Sequence, residues 1–288
     1  MIELRDIEFS YRKQGAPALT AVSAVIGPGV HLLAGENGAG KTTLLHLIAG
    51  VARPQAGEVM IDGTPAAGCK PRDMGRTFLL EEGMQLPGKT IRGFSRLHSG
   101  FYPNFSAEAF TSNLAAFGLS GEEPMKSQSL GNRKKAQLAY ALALGVEVLL
   151  LDEPTNALDI ESKAIFRKLI ASNINEEQTL IISTHTVQEL ENMFDGGMIL
   201  SRSRLIFAGT EEAVATRLAF KVSRAPLPDA LYSEIQPGRV LSICLADDME
   251  ETRVDWRLFY SAMHSPKRSE IAQALMKPRH PDTMLPQD

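Results

Sequence analysis

Nine residues, GENGAGKTT from Gly35 to Thr43, have the types and spacing to hold a polyphosphate. They match GxxxxGK[ST] in full, between an apolar run that reads as a strand and TTLLHLIAGV, which reads as a helix. Gly35, Gly38 and Gly40, with Glu36, Asn37 and Ala39 between them, allow a tight loop whose N–H groups face outward. The helix N-terminus adds positive potential at the same place. Lys41 supplies a point charge to β- and γ-phosphates, the Thr42 hydroxyl can ligate Mg²⁺, and Thr43 completes the run. Such a loop needs a carboxylate from a neighbouring strand, and VLLLDE provides it. Asp152 ends an apolar run, where ligands meet an open parallel sheet, and is the expected partner of the metal's water shell. Glu153 is the candidate for orienting or deprotonating an attacking water.

The segments around these residues read as a scaffold of alternating strands and helices. IELRDIEFS, GVHLLAG, GEVMIDG and RTFLLEE read as strands, and EVLLLDE and QTLIISTH are unbroken apolar runs of the kind buried on both faces of a parallel sheet. Between the last two, DIESKAIFRKLIASNI has the 3.6-residue spacing of a crossover helix. After Pro87 the texture changes to helices broken by Gly100 and Pro103, an insertion spanning about residues 89–135. The order predicts an α/β fold, an open core sheet holding a helical subdomain. From about Thr210 the chain is turn-rich, with one strand, VLSICLA, and one helix, VDWRLFYSAM. The expected division is a first domain over 1–212 and a small C-terminal extension over 213–288 with no assigned role. Its last residues, KPRHPDTMLPQD, read as disordered.

Bulk properties narrow the function classes. With 288 residues, 44% hydrophobic and 22% charged, and a net charge of −4, the chain is a globular protein too acidic to bind nucleic acid by bulk charge, so no nucleic-acid partner is expected. Cys69 and Cys244 are far apart and outside any CxxC pair, which indicates neither a disulfide framework nor a zinc site and fits a reducing compartment. MIELRDIEFSYRKQG lacks the plan of a signal peptide, and no apolar run reaches the roughly 18 to 20 residues that span a bilayer. A cytoplasmic protein is expected, with any membrane role arising through a partner.

Over about residues 2–212 the chain resembles the ATP-binding subunit of an ABC transporter. Besides GENGAGKTT and VLLLDEP, Asp159 in NALD matches the family's D-loop and His185 in ISTHTVQELE its switch histidine; Tyr11 lies 30 positions before Lys41, where the family has an aromatic. The resemblance implies a P-loop NTPase core with a mostly parallel sheet and an N-terminal antiparallel β part. It implies ATP and Mg²⁺ as cofactors, Tyr11 stacking on adenine, Asp159 contacting nucleotide, and His185 holding the γ-phosphate beside Lys41 and Glu153.

The family's LSGGQ, which caps the γ-phosphate bound by a second subunit, is here QSLGN: Ser129 and Gly131 are kept, Leu130 replaces a glycine, and Asn132 replaces the glutamine. A serine before a helix is also an N-cap, and a capped helix N-terminus is itself an anion site. Counting back from Pro87 and Thr90, the family's Q-loop glutamine falls on Glu81, an acidic residue able to ligate Mg²⁺ with Thr42 and Asp152. A glutamate there resembles the lantibiotic-immunity exporters. The implied protein is an ATPase that pairs with a second copy or a related ATPase around two ATP and drives a separate permease, in export, from the inner face of the membrane. The other class is an ABC-type ATPase acting on a soluble partner. The DNA-repair type carries a long coiled-coil insertion and the ribosomal type two cassettes, neither found in this sequence, whereas the iron-sulfur type shares its layout. A third option is a regulatory protein that merely binds ATP.

Overall fold

The computed structural model describes residues 1–11, 16–68, 75–190, 193–247 and 252–276; Cys69 and the stretch 277–288 lie outside them. The chain forms two compact units, Met1–Ala208 and Gly209–Asp288.

In the first unit β1 (Ile2–Phe9), β2 (Leu19–Ile26), β3 (Gly29–Gly35), α1 (Lys41–Ile48), β4 (Ala56–Ile61) and the two-residue β5 (Thr64–Pro65) come first. β1 buries Ile2, Leu4 and Ile7 and pairs antiparallel with β2 and β4, giving a sheet of order β2-β1-β4-β5. Next come β6 (Thr77–Leu80), α2 (Ile91–His98), α3 (Ala107–Ala116), α4 (Leu130–Leu142), β7 (Val148–Asp152), α5 (Ile160–Asn173), β8 (Thr179–Thr184), β9 (Gly196–Ser201) and β10 (Arg204–Thr210). The second sheet runs β10-β9-β3-β8-β7-β6, with β3 parallel to β8 and β9, and β7 parallel to β6 and β8. Every residue of β7 and β8 is buried, because helices and the other sheet cover strands of this kind on both faces. Leu44, Leu45 and Leu47 of α1 join Leu33, Leu150, Ile181 and Leu200 in one core, so the helix that follows the glycine-rich loop is fixed to the sheet that delivers it.

Helices α2 and α3 lie in the segment where the sequence breaks pattern, and α4 starts there and runs on to Leu142. Each opens on a serine or threonine cap: Thr90 accepts from Gly93 N–H, Ser106 from Ala109 N–H, and Ser129 from Asn132 N–H. They close around the fully buried Tyr140, whose ring lies 5.1 Å from Phe94 and 5.8 Å from Phe110 and whose hydroxyl is 2.9 Å from His98 Nδ1.

Strands β2, β9 and β10 are not among the sequence expectations. In the second unit, the expectation of a single strand is corrected. After α6 (Glu211–Ala215) three strands, β11 (Leu218–Ser223), β12 (Tyr232–Gln236) and β13 (Arg239–Leu245), form an antiparallel sheet of order β11-β13-β12, followed by α7 (Trp256–Met263) and α8 (Arg268–Met276). Only central β13 is buried throughout its interior, from Val240 to Cys244. The flanking YSEIQ and LAFKVS alternate partly buried and exposed residues or carry a lysine, which leaves little apolar signal in their sequences. Asp255 caps α7 by accepting from Leu258 N–H, burying Trp256 and Phe259, while Arg257 pairs with Glu234 at 2.6 Å. Cys244 is buried within β13.

Candidate functional site

The loop from Gly35 turns sharply into α1 at Gly40, whose φ is 106°. A Cβ there would meet Ala18 O at 2.6 Å, so both backbone conformation and space require glycine. The turn places Lys41 as the first residue of the helix, with only 7% of its surface exposed. Its ammonium donates to Gly35 O at 2.8 Å and Glu36 O at 3.4 Å and lies 3.6 Å from Glu153 Oε1. Thr42, next on α1, donates its hydroxyl to Asp152 Oδ2 at 2.7 Å. The other Asp152 oxygen accepts from the Ser183 hydroxyl, because Asp152 and Ser183 are partners in register across β7 and β8.

Glu153 follows in a left-handed conformation, φ 45°, which non-glycine residues adopt only when surroundings impose it. Its own N–H is held by Ser183 O at 3.1 Å, and Oε1 lies 2.9 Å from His185 Nδ1. Oε2 is buried and has no hydrogen-bond partner among the described residues. A buried carboxylate oxygen left in this state is costly and is a ready acceptor for a water.

Lys41, Thr42, Asp152 and Glu153 line a cleft of about 290 Å³ with Asn37, Gly38, Gly40, Thr43 and Tyr11. Tyr11 is two-thirds exposed, packs edge-on against Phe9 at 5.0 Å, and has its hydroxyl 3.0 Å from Thr43 Oγ1. An exposed aromatic ring beside the loop is available to stack on a base. The Thr42 hydroxyl and Asp152 carboxylate are hard oxygen donors in contact, the donor type Mg²⁺ takes when nucleotide phosphates complete its shell.

The expected metal residue Glu81 is not among the residues that line the cleft. β6 ends at Leu80, and successive side chains then diverge. Glu81 Oε1 goes to His46 Nε2, 2.9 Å away, whereas Glu82 lines the cleft and accepts from Asn156 Nδ2 at 2.5 Å. Counting residues in sequence could not separate adjacent glutamates. Ser183 was also absent from the sequence reading, although a serine near the end of an otherwise apolar strand was a visible signal.

Ser129, Gly131, Asn132 and Asp159 do not line this cleft. Ser129 Oγ accepts from Asn132 N–H at 3.1 Å, and Asn132 Nδ2 donates to Gln128 Oε1 at 2.9 Å. A Cβ on Gly131 would stand 2.9 Å from Ala157 O, so the glycine serves a close approach within the chain. Asp159 caps α5, accepting from Ser162 N–H at 2.7 Å and from its hydroxyl at 2.6 Å; the Ser162 hydroxyl leads the interactions holding its carboxyl below the usual range. Leu130 and Ile160 are 65% and 88% exposed on the same segments.

Among the described residues no helix is long and apolar enough to cross a membrane. A family model described as ABC transporter matches residues 19–156. The chain is 32% identical over 222 residues to the energy-coupling factor transporter ATP-binding protein EcfA of Methanothermobacter thermautotrophicus, covering 73% of this chain and 71% of that protein. It is 31% identical over 227 residues to the ABC transporter ATP-binding protein NatA of Bacillus subtilis, covering 74% and 91%. A dimeric ATP-binding cassette solved in a post-hydrolysis state with ADP and Pi superposes with a TM-score of 0.63 at 21% identity over 73% of this chain and 98% of that one, which shows the shared fold.

Proposed function

Since this chain belongs to the ABC transporter ATP-binding family, and is thereby an ATPase subunit with the P-loop NTPase fold, we propose that it hydrolyses Mg²⁺-bound ATP at the Lys41 cleft as one of a pair of copies, driving a separate membrane permease. The observation that carries the reading is Glu153: buried, beside Lys41 and His185, with one oxygen unpartnered among the described residues.

The loop N–H groups and Lys41 bind the β- and γ-phosphates, and Tyr11 stacks on the adenine. Bound Mg²⁺ would neutralise charge on the phosphates, held by Thr42 and Asp152. Glu153 Oε2 accepts a hydrogen bond from the attacking water and orients it in line with the γ-phosphorus. His185, tied to Glu153 through Nδ1, keeps its other ring nitrogen for the γ-phosphate. Because Ser129 and Gly131 lie away from their own cleft, their place in the reaction is against ATP held by the second copy, where the capped N-terminus of α4 faces the phosphate.

Export is the direction implied by the Glu81 resemblance alone; we extend the proposal only to ATP-driven work on a membrane partner. Substituting Glu153 with Gln tests the site: ATP binding is retained and hydrolysis lost, and unchanged turnover removes Glu153 from this role. Co-purification from detergent-solubilised membranes tests the partner. A stoichiometric multi-spanning chain supports transport, and soluble partners alone favour the non-transport class.

A further inference from the structure

A second cavity, of about 510 Å³, is also lined by Glu82, with Asn156 and Gln137 and the cations Lys126, Arg133 and Lys134. Glu82 is the residue the two cavities share. Lys134, on the second turn of α4, is 4% exposed, and its ammonium has no hydrogen-bond partner among the described residues. The carboxylates that act on it are Glu82, then Asp152 and Glu153, all at the cleft. Burial pushes its pKa down, as it does for any ammonium taken from water without a partner.

A fold keeps an unpaired buried ammonium at a cost, and replacing such a group with an apolar one of similar length is commonly stabilising. Its position supplies the reason for keeping it. A triphosphate entering the cleft, even with Mg²⁺, brings net negative charge to one cavity that Glu82 lines, and Lys134 lines the other. Repulsion by the nucleotide and attraction to the ammonium both favour a Glu82–Lys134 pair.

We propose that Lys134 is a positioning residue for hydrolysis: when nucleotide fills the cleft, Glu82 swings onto its ammonium, tying the helical insert to the loop after β6. Asn156, already bonded to Glu82 and three residues beyond Glu153, is carried with it, so the pair sets the segment that aims the hydrolytic carboxylate. This rests on Glu153 being that carboxylate.

The test compares Lys134→Met, Lys134→Arg, Glu82→Gln and the Lys134→Met/Glu82→Gln double variant with Glu153→Gln in the full chain, measuring ATP turnover and, separately, thermal unfolding without nucleotide. The expected result for Lys134→Met is a drop in kcat of about tenfold with KM for ATP within about twofold, as for misplacement of a reacting group, together with a higher Tm. Lys134→Arg restores most of the turnover, and the double variant is no slower than the slower single one, because both remove one contact. Three results overturn the proposal: Lys134→Met turning over like the parent while Glu153→Gln is inactive, losses that multiply in the double variant, or Lys134→Met losing turnover and Tm together, which marks a structural lysine. An active Glu153→Gln variant overturns the underlying reading of Glu153 first, and this proposal with it.

Discussion

The Lys41 cleft and the Ser129–Asn132 segment are built on opposite plans. In the cleft, polar groups crowd out of water and one is left short: Glu153 Oε2 has no partner among the described residues, while Lys41 is held by backbone carbonyls and a carboxylate. In the segment, Ser129, Asn132 and Asp159 all spend their side chains on local bonds, and the remaining groups, Leu130 and Ile160, point to solvent. A site completed by a small ligand keeps its deficits inside the chain. One completed by another protein surface finishes its own side chains and presents backbone and shape.

That contrast is breakable by substitution. The largest effect is expected at the cleft, where Glu153→Gln should reduce turnover by about 10²-fold or more while ATP still binds, measured by phosphate release and nucleotide titration. Next comes the segment: Ser129→Arg should lower turnover by roughly tenfold or more with ATP affinity of the single chain unchanged, since in the proposed pair the added bulk would meet the other copy. Full activity in that variant would reduce the segment to a helix cap. A smaller effect is expected for Gly131→Ala, whose methyl must displace Ala157 O; denaturant unfolding should show about 1 to 3 kcal/mol lost, as in overpacked sites. The smallest effect separates the neighbouring glutamates. Glu81→Gln should leave turnover near the parent level because Glu81 faces His46, whereas Glu82→Gln should lower it; the reverse ranking would restore Glu81 to the site.

What was legible in the sequence followed how strongly each element commits its residues. The glycine-rich loop was readable because its lysine, glycines and threonine sit at fixed offsets between a strand and a helix. VLLLD and TLIIST were readable because burial on both faces leaves an unbroken apolar run. β12, by contrast, is an edge strand with no fully buried residue, so YSEIQ looks like a loop until β13 pairs with it. The Asp152–Ser183 contact depends on parallel register between strands 27 residues apart at their nearest ends, and no local pattern encodes that register. Glu81 and Glu82 are neighbours just past the end of β6, and spacing to Pro87 does not resolve which of them turns to the cleft.

The missing side chain at Gly131 has a consequence for how two copies would work together. Ala157 O, which that gap accommodates, belongs to the turn whose neighbour Asn156 donates its N–H to Glu153 O at 3.3 Å. From Glu153 to the segment proposed to meet a second copy, the path is therefore a few residues of backbone in close contact, with little slack to absorb a shift. In a pair sharing two nucleotides, each subunit would sense whether its neighbour is loaded before its own bond breaks. Sigmoidal dependence of turnover on ATP, flattened toward hyperbolic when that contact is loosened, would be the outward sign.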